Sequence, residues 1–284
     1  MMKGYLIEKY SDMGVAYTSD RLIQEAAKAG VVLDRIGVHD VLLTGDGPFH
    51  KGQALKRRDF VLNRYKWGWI KDKLNSLGDE SYNRLKPFNR FIDKYEQLQR
   101  LDSRFFQKPH YVLGTIQSSY DAVASLLGDV FVVKGLRNSK GKEIYLVHSP
   151  SEFKRLQDFF PLETELLFEE FIASSFGRDL RLFCIRGEAI AAMIRKSNGD
   201  FRSNFALGAS VQAVPVTGEM RTIAEDLFVE TGLDVMGVDL LFGQDGYYLC
   251  EINVTPGIEG IEAATGSNIA SLIISLIVND LKSK

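Results

Sequence analysis

The stretch YYLCEINVTPG, from Tyr247 to Gly257, places a carboxylate and an amide on one face of a strand. Its side chains alternate, so Glu251 and Asn253 share one face while Cys250 and Ile252 share the other. Burying an unpaired carboxylate costs roughly several kcal/mol, so Glu251 requires a cation, an arginine or water.

The preceding stretch GVDLLFGQDG, residues 237–246, predicts a second strand that ends in a turn. A three-residue loop at 244–246, with Gly246 in the left-handed conformation, pairs Gly243 with Tyr247. A two- or four-residue loop would place Asp239 opposite Cys250. The hydrophobic pattern favours the three-residue loop, whose pairs are Phe242 with Tyr248, Leu240 with Cys250, Val238 with Ile252, and Asp239 with Glu251.

That register brings Asp239, Glu251 and Asn253 together. Opposed carboxylates repel each other unless a positive charge lies between them. Three hard oxygen ligands without His or Cys suit magnesium or manganese better than zinc. From these residues alone, a solvated pair of carboxylates on an exposed sheet face stays open as the alternative.

The composition is that of an ordinary globular protein, with 284 residues, 45% hydrophobic and 25% charged. Charges at Lys3, Glu8 and Lys9 interrupt any N-terminal signal sequence, and the apolar run 269–278 is too short to span a bilayer. Two cysteines, Cys184 and Cys250, lie in predicted strands. These features predict reduced core thiols and a cytoplasmic location without a membrane partner.

The net charge of −2 conceals a basic segment. Residues 51–110 contain 15 Lys and Arg against 7 Asp and Glu, a balance of +8. Such a segment is compatible with nucleic acid, an acidic protein tail, or solvated helix faces.

The start of the chain predicts half of a doubly wound α/β unit without a dinucleotide-binding glycine motif. We expect a helix over 20–29 capped by Ser19, a helix over 91–101, and mainly strands from residue 166 to a final helix over 267–281. The remaining expected elements are strands over 4–7, 31–36, 60–63, 130–134 and 143–147, an extended stretch at 110–113, and helices over 67–77 and 119–127.

Lys134 ends the apolar run that begins at Val130, and the loop GLRNSKGK follows it. Backbone amides and cations in that loop could contact phosphates, although a plain hairpin turn is the alternative. The strand LLFEEFI, residues 166–172, contains Glu169 and Glu170. One of them could pair with Lys134, and the free backbone groups of the segment could bind an adenine ring.

Further candidates come from GRDLRLF (177–183) and FRSN (201–204). Asp179 and Arg181 lie on one side of a strand, where a self-neutralised surface pair is the simplest interpretation. Arg195 and Arg202 have the planar fork that bridges phosphate oxygens, although lone arginines at strand ends are usually solvated.

The order of these motifs resembles the ATP-grasp superfamily, and within it the RimK-type α-L-glutamate ligases. The resemblance covers roughly residues 87–275 and is most specific in GDFRSN (199–204), GVDLL and EINVTPGIEGIEAATG (251–266). It implies an ATP-grasp fold preceded by a Rossmann-like α/β domain, with domains at 1–88, 89–168 and 169–284.

The resemblance also implies roles for individual residues. Lys94 and Lys134 match the phosphate-contacting lysines, and Glu170 and Phe171 match the hinge that reads adenine. Asp179 corresponds to the residue on the ribose side of the nucleotide. Arg202, Ser203 and Asn204 match the segment near the terminal phosphates, Ser139 and Gly141 match the small-residue loop over ATP, and Asp239, Glu251 and Asn253 match the ligands of two magnesium or manganese ions.

The implied function is an ATP-dependent carboxylate–amine ligase that forms an amide through an acyl phosphate. Arg195, Arg202 and Asn204 are its catalytic candidates. The implied partners are a glutamate-like donor and an amine or carboxylate acceptor, such as an acidic peptide or protein tail, with a homo-oligomer left open. Two alternatives are a catalytically silent ATP-binding regulator and a ribosome- or nucleic-acid-associated protein. The intact metal triad disfavours the first, and the lack of an aromatic–basic RNA-binding motif disfavours the second.

Overall fold

The computed structural model describes residues 1–12, 16–137, 143–205 and 208–284. The N-terminal elements are β1 (Lys3–Glu8), α1 (Tyr17–Lys28), β2 (Val32–Gly37), β3 (Val41–Thr44), β4 (Gly47–His50), β5 (Gln53–Ala54), β6 (Arg58–Asn63), α2 (Gly68–Asn75) and β7 (Gly78–Tyr82). A parallel sheet has the strand order β2-β1-β6-β7. Because the chain places β2 on one side of β1 and β6 on the other, the carboxyl ends of β1 and β6 flank a crevice where open α/β sheets bind ligands.

Two expectations for this region are wrong. Helix α1 begins at Tyr17 after Ala16, and Ser19 lies inside it, where its hydroxyl donates to Glu8 rather than capping the helix. The segment between β2 and β6 contains a small antiparallel sheet, β3-β4-β5, which the sequence analysis missed.

The middle of the chain contains α3 (Leu85–Arg90), α4 (Lys94–Arg100), β8 (Tyr111–Thr115), α5 (Tyr120–Leu127), β9 (Phe131–Gly135), β10 (Ile144–Val147), α6 (Pro150–Leu156) and β11 (Glu165–Glu170). The strands form an antiparallel sheet in the order β10-β9-β11-β8. Helix α4 begins at Lys94 rather than at residue 91. The Asp93 carboxylate accepts the N–H of Tyr95 at 3.0 Å and so caps the helix there.

The C-terminal part contains β12 (Arg178–Ile185), β13 (Glu188–Lys196), β14 (Ser210–Val214), α7 (Gly218–Thr231), β15 (Val235–Phe242), β16 (Tyr247–Asn253), α8 (Glu259–Thr265) and α9 (Ile269–Lys282). Its antiparallel sheet has the order β14-β13-β12-β15-β16. The expectation that strands dominate up to the final helix overlooked α7 and α8. Glycines with φ of +65° and +69°, Gly232 and Gly266, end these two helices in the left-handed region.

Helix α9 packs into a hydrophobic cluster that includes residues of the N-terminal sheet, such as Leu6 and Phe60 beside Ile273 and Ile277. Among the described residues, no single helix meets the length and hydropathy expected of a membrane span. Helices α8 and α9 meet that criterion only as a pair, with a bend of 112° between them.

Candidate functional site

The hairpin of β15 and β16 confirms the pairing of Asp239 with Glu251, but the predicted loop length and the predicted pairs nearer the loop are wrong. Phe242 pairs with Tyr247, and Leu240 pairs with Leu249, so the loop has four residues instead of three. The pairing shifts between Asp239 and Leu240, so Cys250 is the extra residue of a β-bulge. This bulge returns Asp239 to its position opposite Glu251.

Charged side chains from four neighbouring strands share one face of the C-terminal sheet. Arg195 on β13 lies opposite Asp179 on β12. Two residues further along β12, Arg181 lies opposite Asp239 on β15, which in turn lies opposite Glu251 on β16. Cross-strand register therefore sets carboxylates and guanidinium groups side by side.

The prediction that Asp179 and Arg181 form a pair at the surface is wrong, both in the location and in the pairing. Both residues are buried, and each pairs with a different partner. Arg181 binds both oxygens of Asp239, with Nη2 2.6 Å from Oδ2. Arg195 binds both oxygens of Asp179 at 2.6 Å and lies 2.9 Å from Asp239. Burial alone would raise the pKa of Asp239, but the two guanidinium groups hold that pKa below its ordinary value.

The three predicted metal ligands converge. Nδ2 of Asn253 lies 3.2 Å from the Asp239 carboxylate and 3.0 Å from that of Glu251. The described residues contain no cluster of three or more His, Cys, Asp or Glu suited to a metal. The present set is not such a cluster, because its third member is an amide and only two are carboxylates. Rotating the Asn253 amide would present its oxygen instead. The set then offers three hard oxygen ligands and fits Mg²⁺ or Mn²⁺.

Helix α4 carries Lys94 to this edge of the sheet. The Lys94 ammonium lies 3.7 Å from the Glu251 carboxylate. Gln97, one turn further along, donates to the carbonyl of Ile252 at 2.9 Å and accepts its N–H at 2.7 Å. Gln97 therefore fixes α4 against β16 between the two predicted ligands Glu251 and Asn253, a positioning role that the sequence analysis missed.

Lys134 projects from β9 into the same region. It is 5% exposed and pairs at 2.5 Å with Glu169, which is 2% exposed. The sulfur of Cys250 lies 4.0 Å from the same ammonium. Burial would lower the pKa of Lys134, but the charge of the paired Glu169 carboxylate holds it above its ordinary value. Burial also raises the pKa of the Cys250 thiol to about 12, so this residue is a protonated part of the site wall.

A cavity lies between the middle and C-terminal sheets, at the predicted nucleotide residues. It contains about 690 Å³ of space free of protein atoms, part of it open to solvent. Val132, Ile144, Ile172 and Leu241 form its apolar walls. Its lining includes most of the predicted nucleotide residues, namely Lys134, Glu170, Phe171, Asp179, Arg202, Ser203 and Asn204, but not Lys94. The catalytic candidate Arg195 and two of the predicted metal ligands, Asp239 and Glu251, line it as well.

The hinge after β11 supports the predicted adenine contact at Phe171. Glu170 is occupied by His110, whose carbonyl accepts the Glu170 N–H at 2.8 Å and whose N–H donates to the Glu170 carboxylate. Within the described chain, the backbone N–H and C=O of Phe171 form no hydrogen bond. They are the donor–acceptor pair that an adenine edge requires, so the role stays a prediction that the geometry favours.

The segment 201–204 borders the cavity from the other side. Ser203 is buried and lines the cavity, and Arg202 pairs with Asp200 at 2.7 Å. Ser139 and Gly141 lie outside the described residues.

A second cavity, which the sequence analysis missed, opens from the first. The carboxyl ends of β1 and β6 form one wall with Glu8, Arg64 and Lys66. Arg195, Asn204 and Glu251 line both cavities. Burial lowers the pKa of Lys66 to about 8. The sequence signal was a cationic Arg-Tyr-Lys-Trp run directly after a buried strand.

Comparison with known proteins agrees with this arrangement. The RimK-like ATP-grasp domain model matches residues 93–277. Two relatives, each named probable alpha-L-glutamate ligase, come from Hydrogenovibrio crunogenus and Methanococcoides burtonii. The first is 34% identical and covers 94% of this chain and 93% of its own length. The second is 31% identical and covers 92% and 91%.

Two solved structures show the same fold. The D-alanine–D-alanine ligase of Bacillus anthracis superimposes with a TM-score of 0.72 at 17% identity, covering 100% of this chain and 99% of that one. The ATP-grasp ligase PsnB, complexed with minimal precursor, Mg and ADP, gives 0.70 at 16% identity, with coverages of 98% and 97%. The domain match, the two relatives and the shared fold together establish that this chain belongs to the RimK-like ATP-grasp family.

Proposed function

We propose that the protein is an ATP-dependent ligase that joins the carboxylate of a glutamate-like amino acid to an amine. One observation carries this proposal: a cavity lined by most of the predicted nucleotide residues and a cation-lined second cavity meet at Arg195, Asn204 and Glu251. A phosphate group and a substrate carboxylate can therefore approach each other at this junction.

The reaction consists of two group transfers. The carboxylate attacks the γ-phosphate of ATP, which forms an acyl phosphate and releases ADP. The amine then attacks the acyl carbon, so that an amide forms and phosphate leaves with the electron pair of the broken C–O bond. Since no protein nucleophile is needed, the contribution of this chain is positioning and charge stabilisation.

Cationic side chains reduce the repulsion between the two anions. Lys134 and Lys94 approach the junction from β9 and α4, and Arg195 lies in both cavities. Arg202 and Asn204 are proposed to hold the transferred phosphoryl group, and Asp179 and Ser203 the ribose side.

Asp239, Glu251 and Asn253 are proposed to hold two magnesium or manganese ions. These ions would supply Lewis-acid neutralisation of the phosphate oxygens. The chain's own part is to set the three side chains on two paired strands, with Gln97 and Lys94 fixing the edge.

The donor and acceptor follow from charge and from the relatives. Two relatives are named glutamate ligases, and the PsnB structure contains a precursor. Glutamate is therefore the first donor to test, and an acidic peptide or protein tail is the proposed acceptor. The basic segment 51–110 provides complementary charge for such a tail.

The decisive experiment measures phosphate release from ATP with Mg²⁺ across single and paired amino acids and acidic peptides, with mass spectrometry of the products. Release that depends on one acid, together with a new mass equal to the condensation product, would establish the ligase. ATP binding without release or a new mass for any pair would contradict the proposed activity. Replacing Mg²⁺ by Mn²⁺ and titrating each ion tests the metal assignment.

A further inference from the structure

Lys66 lies in the second cavity without a binding partner. It follows β6 in the segment that leads into α2 and lines the wall of the cavity. Within the described residues its ammonium forms no hydrogen bond and no ion pair. Lys66 is half-buried, and an ammonium group that is partly removed from water is stabilised by a nearby anion. The site therefore lacks a negative group that a ligand could supply.

The charges around Lys66 do not supply the missing negative group. Glu251 is the neighbouring carboxylate that favours the charged form, while Lys94, Arg181 and Arg64 oppose it. Since Glu251 also faces Lys94 at 3.7 Å, it cannot serve Lys66 alone.

Arg64 reinforces the positive potential on the same wall. It is largely buried, and its Nη1 donates to the carbonyl of Pro256 at 3.2 Å. Its Nε forms an ion pair with the Glu8 carboxylate at 3.8 Å, too far for a hydrogen bond, and has no hydrogen-bond partner among the described residues. Burial lowers the pKa of Arg64, as it does that of Lys66. Two incompletely compensated cations, separated in sequence only by Tyr65, therefore line the same cavity.

The position of Lys66 separates it from the phosphate-binding groups. Lys134 lines the nucleotide cavity, and Arg195 lines the junction of the two cavities. Lys66, in contrast, lines only the second cavity among the described cavities. A ligand that spans this second cavity would place one end at the junction and the other end near Lys66.

We propose that Lys66 is a specificity-determining residue that binds the second carboxylate of a dicarboxylic amino-acid donor, with Arg64 supporting the positive potential. This inference rests on the proposed function. The reacting carboxylate occupies the junction at Arg195 and Asn204, and the other carboxylate completes the charge balance of Lys66. Glutamine has the shape of glutamate without the second charge, so the site would discriminate against it.

The test compares glutamate with glutamine, and aspartate with asparagine, in wild type and Lys66→Met. Wild type is expected to prefer the acid. In Lys66→Met, kcat/KM for the acid should fall about 10- to 100-fold, the range of a hydrogen bond to a charged group. The loss should appear mainly in KM, while the amide substrates and the KM for ATP change by less than about 2-fold. Methionine preserves the length of the side chain but removes its charge.

Lys73→Met is the matched control, because Lys73 is an exposed lysine on the neighbouring helix α2. It should leave kcat/KM for each of the four amino acids, and the KM for ATP, unchanged. Thermal melting of both variants establishes that each is folded before the kinetics are compared.

Each other outcome would overturn the inference. An acid-to-amide ratio that is equal in wild type and Lys66→Met removes Lys66 from donor recognition. A higher KM for ATP assigns Lys66 to phosphate, and a higher KM for the amine alone assigns it to the acceptor. A wild-type protein that forms no product with any pair would refute the proposed function itself, whereas an active wild type with an unchanged ratio refutes only this inference.

Discussion

Replacing Lys134 by methionine tests how far the site supports the fold. The ammonium pairs with Glu169 at 2.5 Å, and both side chains are almost fully buried. The second oxygen of Glu169, Oε1, already lacks a hydrogen-bond partner in the part of the chain that the structure describes. Lys134→Met would therefore leave a buried carboxylate without compensation. The sequence alone suggests that removing Lys134 abolishes ATP turnover with the fold intact, but this pairing predicts a loss of stability as well.

The expected loss is about 3–5 kcal/mol, the usual cost of breaking a buried ion pair by removing one member. That is a large fraction of the roughly 5–15 kcal/mol that stabilises a typical domain. Glu169→Gln removes the charge that Lys134→Met leaves behind, so the double variant should recover most of the lost stability. Its affinity for ATP should not recover, because the ammonium that we propose to bind the phosphates is still missing.

The assay combines urea unfolding of wild type, both single variants and the double variant with calorimetric titration of ATP and Mg²⁺. Unfolding followed by both circular dichroism and fluorescence checks that the free energies describe one transition. A Lys134→Met variant as stable as wild type would refute the pairing argument. Wild-type affinity for ATP in the double variant would refute the role of Lys134 at the phosphates.

Three further predictions concern Glu251, Gln97 and Lys66. Glu251→Gln should lower phosphate release about 100-fold or more while the melting temperature stays close to wild type, and wild-type turnover in that folded variant would exclude Glu251 as a metal ligand. Gln97→Leu removes two hydrogen bonds to Ile252, so we expect a loss of about 1–3 kcal/mol in urea unfolding and a higher KM for ATP as Lys94 shifts; an unchanged KM would argue against positioning. Burial lowers the pKa of Lys66 from its ordinary 10.5 to about 8, so the charged ammonium destabilises the folded protein below about pH 8. This destabilisation disappears as the pH rises to about 10.5, where the unfolded chain also loses the proton. The stability advantage of Lys66→Met should shrink across this window, and a pH-independent difference in urea unfolding would contradict the assignment.

The alternating pattern of β15 and β16 was sufficient to predict the pairing of Asp239 with Glu251. Period-two alternation constrains the faces of both strands, and only a register with both carboxylates on one face also buries Val238 and Ile252. The bulge was not predictable, because Cys250 is apolar enough to fit either face. The loop length and the bulge compensate each other, so the wrong loop led to the right pair.

Features that depend on strands far apart in sequence could not be predicted. The partner of Asp179 is set by the register of β12 with β13, and the partner of Arg181 by the register of β12 with β15. Reading one strand alone suggested that the two residues neutralise each other. The second cavity was missed for the same reason, because its walls come from β1, β6 and the C-terminal sheet.

Three cations that line the nucleotide cavity are already paired with carboxylates before any ligand binds: Lys134 with Glu169, Arg195 with Asp179, and Arg202 with Asp200. Two cations beside it are paired as well, Arg181 with Asp239 and Lys94 with Glu251. These internal carboxylates keep the positive side chains in place in a low-dielectric region, where unpaired charges would repel one another. An arriving phosphate therefore competes for cations that are already oriented. Divalent cations would favour this exchange, because they offer the displaced carboxylates a new partner. Lys66 differs from these five cations, since it has no carboxylate partner among the described residues and lines the second cavity rather than the first, and that difference is why we assign it to substrate rather than to nucleotide.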